Sequence, residues 1–293
     1  MKKQQWILVI GAVAVAVALF FIGNTVPDAK PAAANADMAD GHSPNDGHNH
    51  EAPAAVTIDT VLLQAKKLLT TEDINKLAQL EQTEARGDVK AQQLEKYKQL
   101  AKFWDETTHN HTLYHYYTGE AAKLENSEKK LTFAARFFLE EVMASGQPSA
   151  FNTWQANQAK ELFEKAIEIN PANDSAKIAI GACYMFGNIS TNPMEGILKV
   201  REIAEKKPDN VYAQLVLGLG GLRSGQYDKA IERFTKVVTV QPKNLEAIFH
   251  LAETYDRKGD KTNAVVWYQK ASDLIKIPEA KKEIEARIKA LKS

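Results

Sequence analysis

The chain has 293 residues with 37 basic and 37 acidic side chains, a balance that supplies no electrostatic case for a nucleic-acid partner. Its single cysteine, Cys183, excludes an intramolecular disulfide, so burial must hold the fold together, and the roughly 230 residues beyond the N-terminal segments can bury a substantial core. No phosphate-cradling glycine loop followed by Lys-Ser/Thr, no GxSxG elbow and no Cys-His arrangement in a recognisable context occurs, so the sequence points to no enzyme and no cofactor.

Lys2 and Lys3 precede an uncharged apolar run of 17 residues from Trp6 to Ile22, about 25 Å long as a helix at ~1.5 Å per residue. With Gly23 to Val26 it can cross a bilayer, which predicts a transmembrane anchor over residues 1–26. Ala34-Asn35-Ala36 has the small-x-small form of a cleavage site. It lies too far downstream, behind Pro27, Asp28, Lys30 and Pro31, so the anchor is expected to remain. Positive charge before the run and mainly acidic charge after it set the orientation. The expectation is a single-pass protein of the inner (cell) membrane, with a cytoplasmic N-terminus and the bulk of the chain periplasmic. Residues 27–56 form a linker rich in Ala, Asp, Asn, Pro and Gly, whose composition predicts disorder. His42, His48 and His50 lie in it beside carboxylates and offer a weak metal-binding alternative through neutral imidazoles.

Residues 57–130 are expected to be helical, with segments Val61–Leu69, Thr71–Arg86, Asp88–Glu106 and Leu113–Leu124, Thr71 or Asp88 as caps, and Gly87 as a stop. Tyr97, Leu100, Ala101 and Trp104 form one apolar stripe at helical spacing. His111 and His115 stand one helical turn apart near His109, but Thr112 occupies the place where a HExxH zinc site needs glutamate, so no metal site is expected. Two longer helices follow, Leu131–Ser145 and Ser149–Ile169, separated by Gly146 and Pro148. Carboxylate pairs such as Glu140 and Glu141 fall on charge-bearing helices and read as a solvated face.

From Gln214 to Ala271 the sequence repeats itself 34 residues apart. Leu217, Gly218, Gly225, Ala230 and Phe234 recur as Leu251, Ala252, Gly259, Ala264 and Tyr268, and Pro208 recurs as Pro242. Each copy places a small residue on a first helix and a small residue plus an aromatic on a second, the composition of a helical hairpin whose neighbours pack closely. An earlier copy, with Pro171, Ile180, Gly181 and Tyr184, is offset by 37 residues, and the three extra residues fall in the turn Phe186–Pro193. Cys183, beside Gly181, is expected in the core. At the end, Ile277, Ala280, Ile284, Ile288 and Leu291 lie at helical spacing with charged residues, Arg287 among them, elsewhere on the surface, the form of a cap over residues 278–293.

These residues resemble the tetratricopeptide repeat. The resemblance implies an all-α superhelix of hairpins over residues 131–277, preceded by a degenerate unit within 57–130. It also implies a concave surface lined by the first helices. Projected onto this sequence, that surface holds Ile178, Ala179, Ala182, Tyr212, Val216, Leu219, Leu222 and Arg223, then His250, Glu253, Asp256 and Arg257. Some family members clamp a partner's C-terminal carboxylate with lysine, asparagine and arginine, and here Ile178, Ala182 and Val216 stand at such positions. The apolar half either receives a segment of another protein or is filled by the chain's own N-terminal helices. The expected function is therefore a non-catalytic, membrane-anchored scaffold for protein or peptide partners, with a metal-handling protein and a self-assembling homo-oligomer as alternatives.

Overall fold

The computed structural model describes residues 55–82, 88–145 and 148–293. The expected anchor, nearly all of the linker with its histidines, Gly87 and Gly146 lie outside these residues. Among the described residues there are thirteen helices and no strand. In chain order they are α1 (Ile58–Lys66), α2 (Thr71–Glu81), α3 (Val89–Thr108), α4 (His111–Glu125), α5 (Glu128–Ala144), α6 (Ala150–Ile169) and α7 (Asp174–Phe186). Then come α8 (Met194–Lys206), α9 (Val211–Arg223), α10 (Tyr227–Val240), α11 (Leu245–Lys258), α12 (Lys261–Leu274) and α13 (Pro278–Lys292). None of them is long and apolar enough to cross a membrane.

Short polar side chains start most of these helices. Thr57, Thr70, Asp88, Asn110, Ser149, Asn173, Asn210, Asn244 and Asp260 each accept a hydrogen bond from an amide three residues on, satisfying one of the donors that a helix start leaves open. Thr70, and not Thr71, caps α2, because its Oγ1 reaches the amide of Asp73. Asn173, Asn210 and Asn244 stand two residues after Pro171, Pro208 and Pro242. Proline keeps the preceding helix from continuing and asparagine begins the next, so one short motif punctuates each passage between hairpins.

Helices α3–α4, α5–α6, α7–α8, α9–α10 and α11–α12 pair as consecutive hairpins, and α13 packs on α12. The first helices α5, α7, α9 and α11 run beside one another. The stripe foreseen on α3 is buried at Leu100, Ala101 and Trp104, where it meets Leu77, Leu113 and Tyr117. Successive hairpins then share apolar clusters as far as Ile284, Ile288 and Leu291 of the terminal helix. Cys183 is fully buried, and burial pushes its thiol up to about 12, far from a reactive thiolate.

The tightest crossing joins α7 to α8. A Cβ placed on Gly196 would lie 2.3 Å from the Gly181 carbonyl oxygen and 2.7 Å from Tyr184 Cβ. The extra residues of this hairpin form the turn after α7, where Asn188 takes the left-handed region at φ 51° and Ile189 packs on the core. A Cβ on Gly187 would lie only 2.1 Å from that of Ala156, so the enlarged turn folds back against α6.

Arg287 departs from its expected surface position. Its Nε and Nη2 donate to the Asp256 carboxylate at 2.7 and 2.8 Å, and the Tyr268 hydroxyl donates to the same group at 3.2 Å. Asp256 therefore belongs to the joint that docks the terminal helix and not to the groove. Asp256→Ala should cost about 2 kcal/mol, the scale of hydrogen bonds to a charged group, read as a fall in the urea midpoint. A midpoint equal to wild type would remove this joint from the account of the cap.

Candidate functional site

The repeat places equivalent positions of α9 and α11 on one face, 34 residues apart: Tyr212 with Glu246, Val216 with His250, Leu219 with Glu253 and Arg223 with Arg257. The structure separates them by accessibility. Ile178, Ala182 and Val216 are fully buried in the central cluster with Phe138, Val142, Trp154 and Phe186, so they are core and not groove wall. The cause is the close approach of α5, α7 and α9, which leaves no space above the small and β-branched side chains of α7 and α9. Tyr212, Leu219 and His250 are half-buried, Arg223 and Arg257 are exposed, and Glu253 is buried. The accessible concave face is thus more polar than the sequence suggested.

Its remaining lining comes from residues the sequence argument passed over. Phe133 and Arg136 of α5 and Glu246 of α11 were not assigned to it, and Glu140 was assigned to a solvated face. The groove was projected only from Ile178 onward, so α5, the first helix of the hairpin beginning near residue 131, lay outside it, although Ala135 stands where Gly181 and Gly218 stand in the later hairpins. Phe133 is 50% exposed. Arg136 Nη2 donates to Glu140 Oε1 at 3.4 Å, both side chains largely open to solvent. The Glu140 carboxyl is shifted upward: desolvation raises its pKa, Arg136 opposes, and Glu246 and Glu141 raise it further. The Tyr212 phenol is pushed up mainly by burial and feels Arg136, Glu140 and Glu246 together. At one end, Arg223 of α9 donates to the Ser145 carbonyl beyond α5 at 3.4 Å and lies 5.7 Å from the Phe186 ring centroid, closing that edge.

On α11 the charges form a local network. Glu253 faces His250 Nδ1 at 3.1 Å and accepts from Arg257 Nη2 at 2.8 Å, while the His250 ring stacks on Phe234 at 5.5 Å between centroids. Burial disfavours charge on both His250 and Glu253, but their mutual contact and Arg257 outweigh it, so histidine is shifted above 6.5 and glutamate below 4.5. The histidine contribution is complete below 6.5 and disappears as pH rises through the raised value. The glutamate contribution is complete above 4.5 and disappears as pH falls through the lowered value. The urea midpoint of wild type should therefore fall as pH rises above 6.5, and Glu253→Gln should flatten that fall. Identical slopes in the two proteins would show that the pair does not couple to folding.

His115 stacks on Phe137 at 4.1 Å with 4° between planes, and burial, then the charge of His111, pushes its pKa down to about 4. His111 lies 3.9 Å from Asp105. Among the described residues no group of three or more His, Cys, Asp or Glu is arranged to hold a metal ion. A cleft of about 460 Å³ opens between α6, α7 and α8, floored by Ile180 and Ile203. Its rim charges are consumed internally, Lys207 on Asp174 at 2.5 Å and Lys206 on Glu202 at 2.6 Å.

Fold and groove together define a helical-hairpin repeat protein, an α-solenoid whose first helices enclose an accessible concave face. Residues 153–173, on α6 and the turn after it, match the tetratricopeptide repeat model, and residues 211–293 match the model described as regulator of microtubule dynamics protein 1-3. The curated "Protein CTR9 homolog" of Arabidopsis thaliana is 25% identical over 120 residues, which is 40% of this chain and 11% of that protein's length. Among solved structures, MamA from Desulfovibrio magneticus RS-1 is 21% identical with a TM-score of 0.41, covering 65% of this chain and 97% of that one. PilW, titled a type IV pilus biogenesis factor, is 18% identical with a TM-score of 0.44 over 70% of this chain and 94% of that one. YrrB, titled a tetratricopeptide protein with an unusual peptide-binding site, is 16% identical with a TM-score of 0.39 over 65% and 91%.

Proposed function

We propose that this protein is a non-catalytic scaffold that holds segments of partner proteins in the concave face of its repeat array, tethered to a membrane by residues 1–26 and working outside the cytoplasm. The observation that carries the scaffold reading is the accessible lining contributed by three first helices: Phe133, Arg136 and Glu140, then Tyr212 and Leu219, then Glu246. A surface assembled from several repeats engages an extended segment through many small contacts, which is how solenoids use curvature. The membrane and compartment parts are supported by the uncharged run Trp6–Ile22 behind Lys2 and Lys3.

The test is site-specific photocrosslinking in intact cells of the native host, with the reactive side chain at Leu219 in the groove or at Leu198, which is 54% exposed on the second helix of the α7–α8 hairpin. A defined set of adducts at Leu219 that is absent at Leu198 is the expected result. The same adducts from both positions would overturn the groove. Deleting residues 1–26 should move the protein from the membrane pellet to the soluble fraction, and an unchanged distribution would remove the anchor from the proposal.

A further inference from the structure

Arg223 and Arg257 occupy equivalent positions of α9 and α11, 34 residues apart, and both are exposed. On each helix the residue four before the arginine is its neighbour one turn back. For Arg257 that residue is Glu253, whose carboxylate accepts from Nη2 at 2.8 Å. For Arg223 it is Leu219, so the internal anion that serves the later arginine is missing beside the earlier one. Arg223 makes no ion pair among the described residues. Its contacts are the long 3.4 Å bond to the Ser145 carbonyl and the face of the buried Phe186 ring at 5.7 Å. Burial shifts the guanidinium downward, and no carboxylate opposes it. Ring and carbonyl therefore hold this side chain between the ends of α5 and α7 without neutralising it.

Resting on the groove reading above, we propose that the concave face recognises an extended partner segment through an aspartate or glutamate whose side-chain carboxylate pairs with Arg223. A guanidinium has five donors in a planar fork, and here a single long bond uses one of them. The fork matches the two oxygens of a carboxylate, and a side chain already held against a ring loses little freedom on binding. One positive charge balances one carboxylate, whereas a phosphate, with a charge of about −1.5 to −2, calls for more than this single arginine. Leu219 supports a peptide over a free acid. It stands half-buried one turn before Arg223 on the same face of α9, about 6 Å away along the helix, the span of about two extended residues. The segment that fits carries an apolar residue about two positions from its carboxylate.

A phage-displayed library of random dodecapeptides, selected on the full-length protein in detergent, tests this. It should enrich an acidic residue at a fixed distance from an apolar one. A selected peptide, made synthetically, should lose about tenfold in affinity, the scale of one good charge contact, when its acid is replaced by the amide or when the protein carries Arg223→Gln. Both replacements together should cost no more than either alone, because they break the same contact. Arg223 is exposed, so the variant folds, with circular dichroism as the check. Losses that simply add, or peptides that bind in the groove with no acidic preference, would overturn the carboxylate assignment and leave the groove standing. Affinity lost only on amidating the peptide's C-terminus would do the same. No enriched peptide at all would overturn both. Concentration-dependent dimerisation abolished by R223Q would assign Arg223 to a second copy and overturn the partner carboxylate.

Discussion

Val216→Glu is expected to abolish the cooperative unfolding transition, whereas Leu219→Glu, three residues further along α9, leaves the protein folded. Val216 is fully buried between α5, α7 and α9, with only apolar neighbours in its cluster. An ionised carboxylate there has no partner, so it either stays charged at a prohibitive cost or takes up a proton and leaves a buried polar group unsatisfied. Together with the overpacking, the loss is on the order of 5 kcal/mol, comparable to the whole stability of many domains. Leu219 is half-buried and its replacement reaches water. Circular dichroism with urea titration decides the matter. A Val216→Glu protein with a sharp transition near the wild-type midpoint would mean that the central groove is open and its apolar wall accessible.

The second large effect is expected from the smallest change, Gly196→Ala. In the other hairpins alanine is tolerated at the equivalent second-helix position, at Ala159, Ala230 and Ala264. Only the α7–α8 pair has glycine on both sides, Gly181 facing Gly196. The added methyl would meet a backbone carbonyl oxygen at 2.3 Å, and a carbonyl inside a helix cannot turn aside as a side chain does. The two helices must separate, and a loss of about 3 kcal/mol, the upper end for overpacking, is expected in the urea midpoint. Gly220→Ala is the control. Its new methyl would lie 2.4 Å from Met185 Cε, the far end of a flexible side chain, and a change within about 1 kcal/mol is expected. Equal losses for the two variants would show that the glycine pair does not set the helix separation.

Much of this architecture was legible because hairpin repeats are encoded locally. The small residues at Gly181, Gly218 and Ala252, the aromatics at Phe234 and Tyr268, and the prolines are each read within a few residues of the contact they make. The three-residue slip was assigned to the correct turn for the same reason. The asparagine caps two residues after each proline carried an equally local signal that had gone unread. Thr70 was missed in favour of Thr71 because two adjacent threonines look alike until one side chain is seen to reach an amide.

The groove was less legible. Helical phase gives the side of a helix a residue occupies, but accessibility depends on how closely the next helix approaches. Ile178, Ala182 and Val216 were placed on the correct helices and lost to the core by that approach. Asp256 was drawn to the cap by Arg287.

The sequence by itself determined that this chain is a stack of helical hairpins with a polar-backed terminal helix, because periodicity, small-residue spacing and turn chemistry act over one hairpin at a time. Only the tertiary structure decided which concave positions meet solvent, burying Ile178, Ala182 and Val216 and leaving Tyr212 and Leu219 half open. That outcome depends on small rotations accumulated from hairpin to hairpin, a quantity that no single repeat encodes.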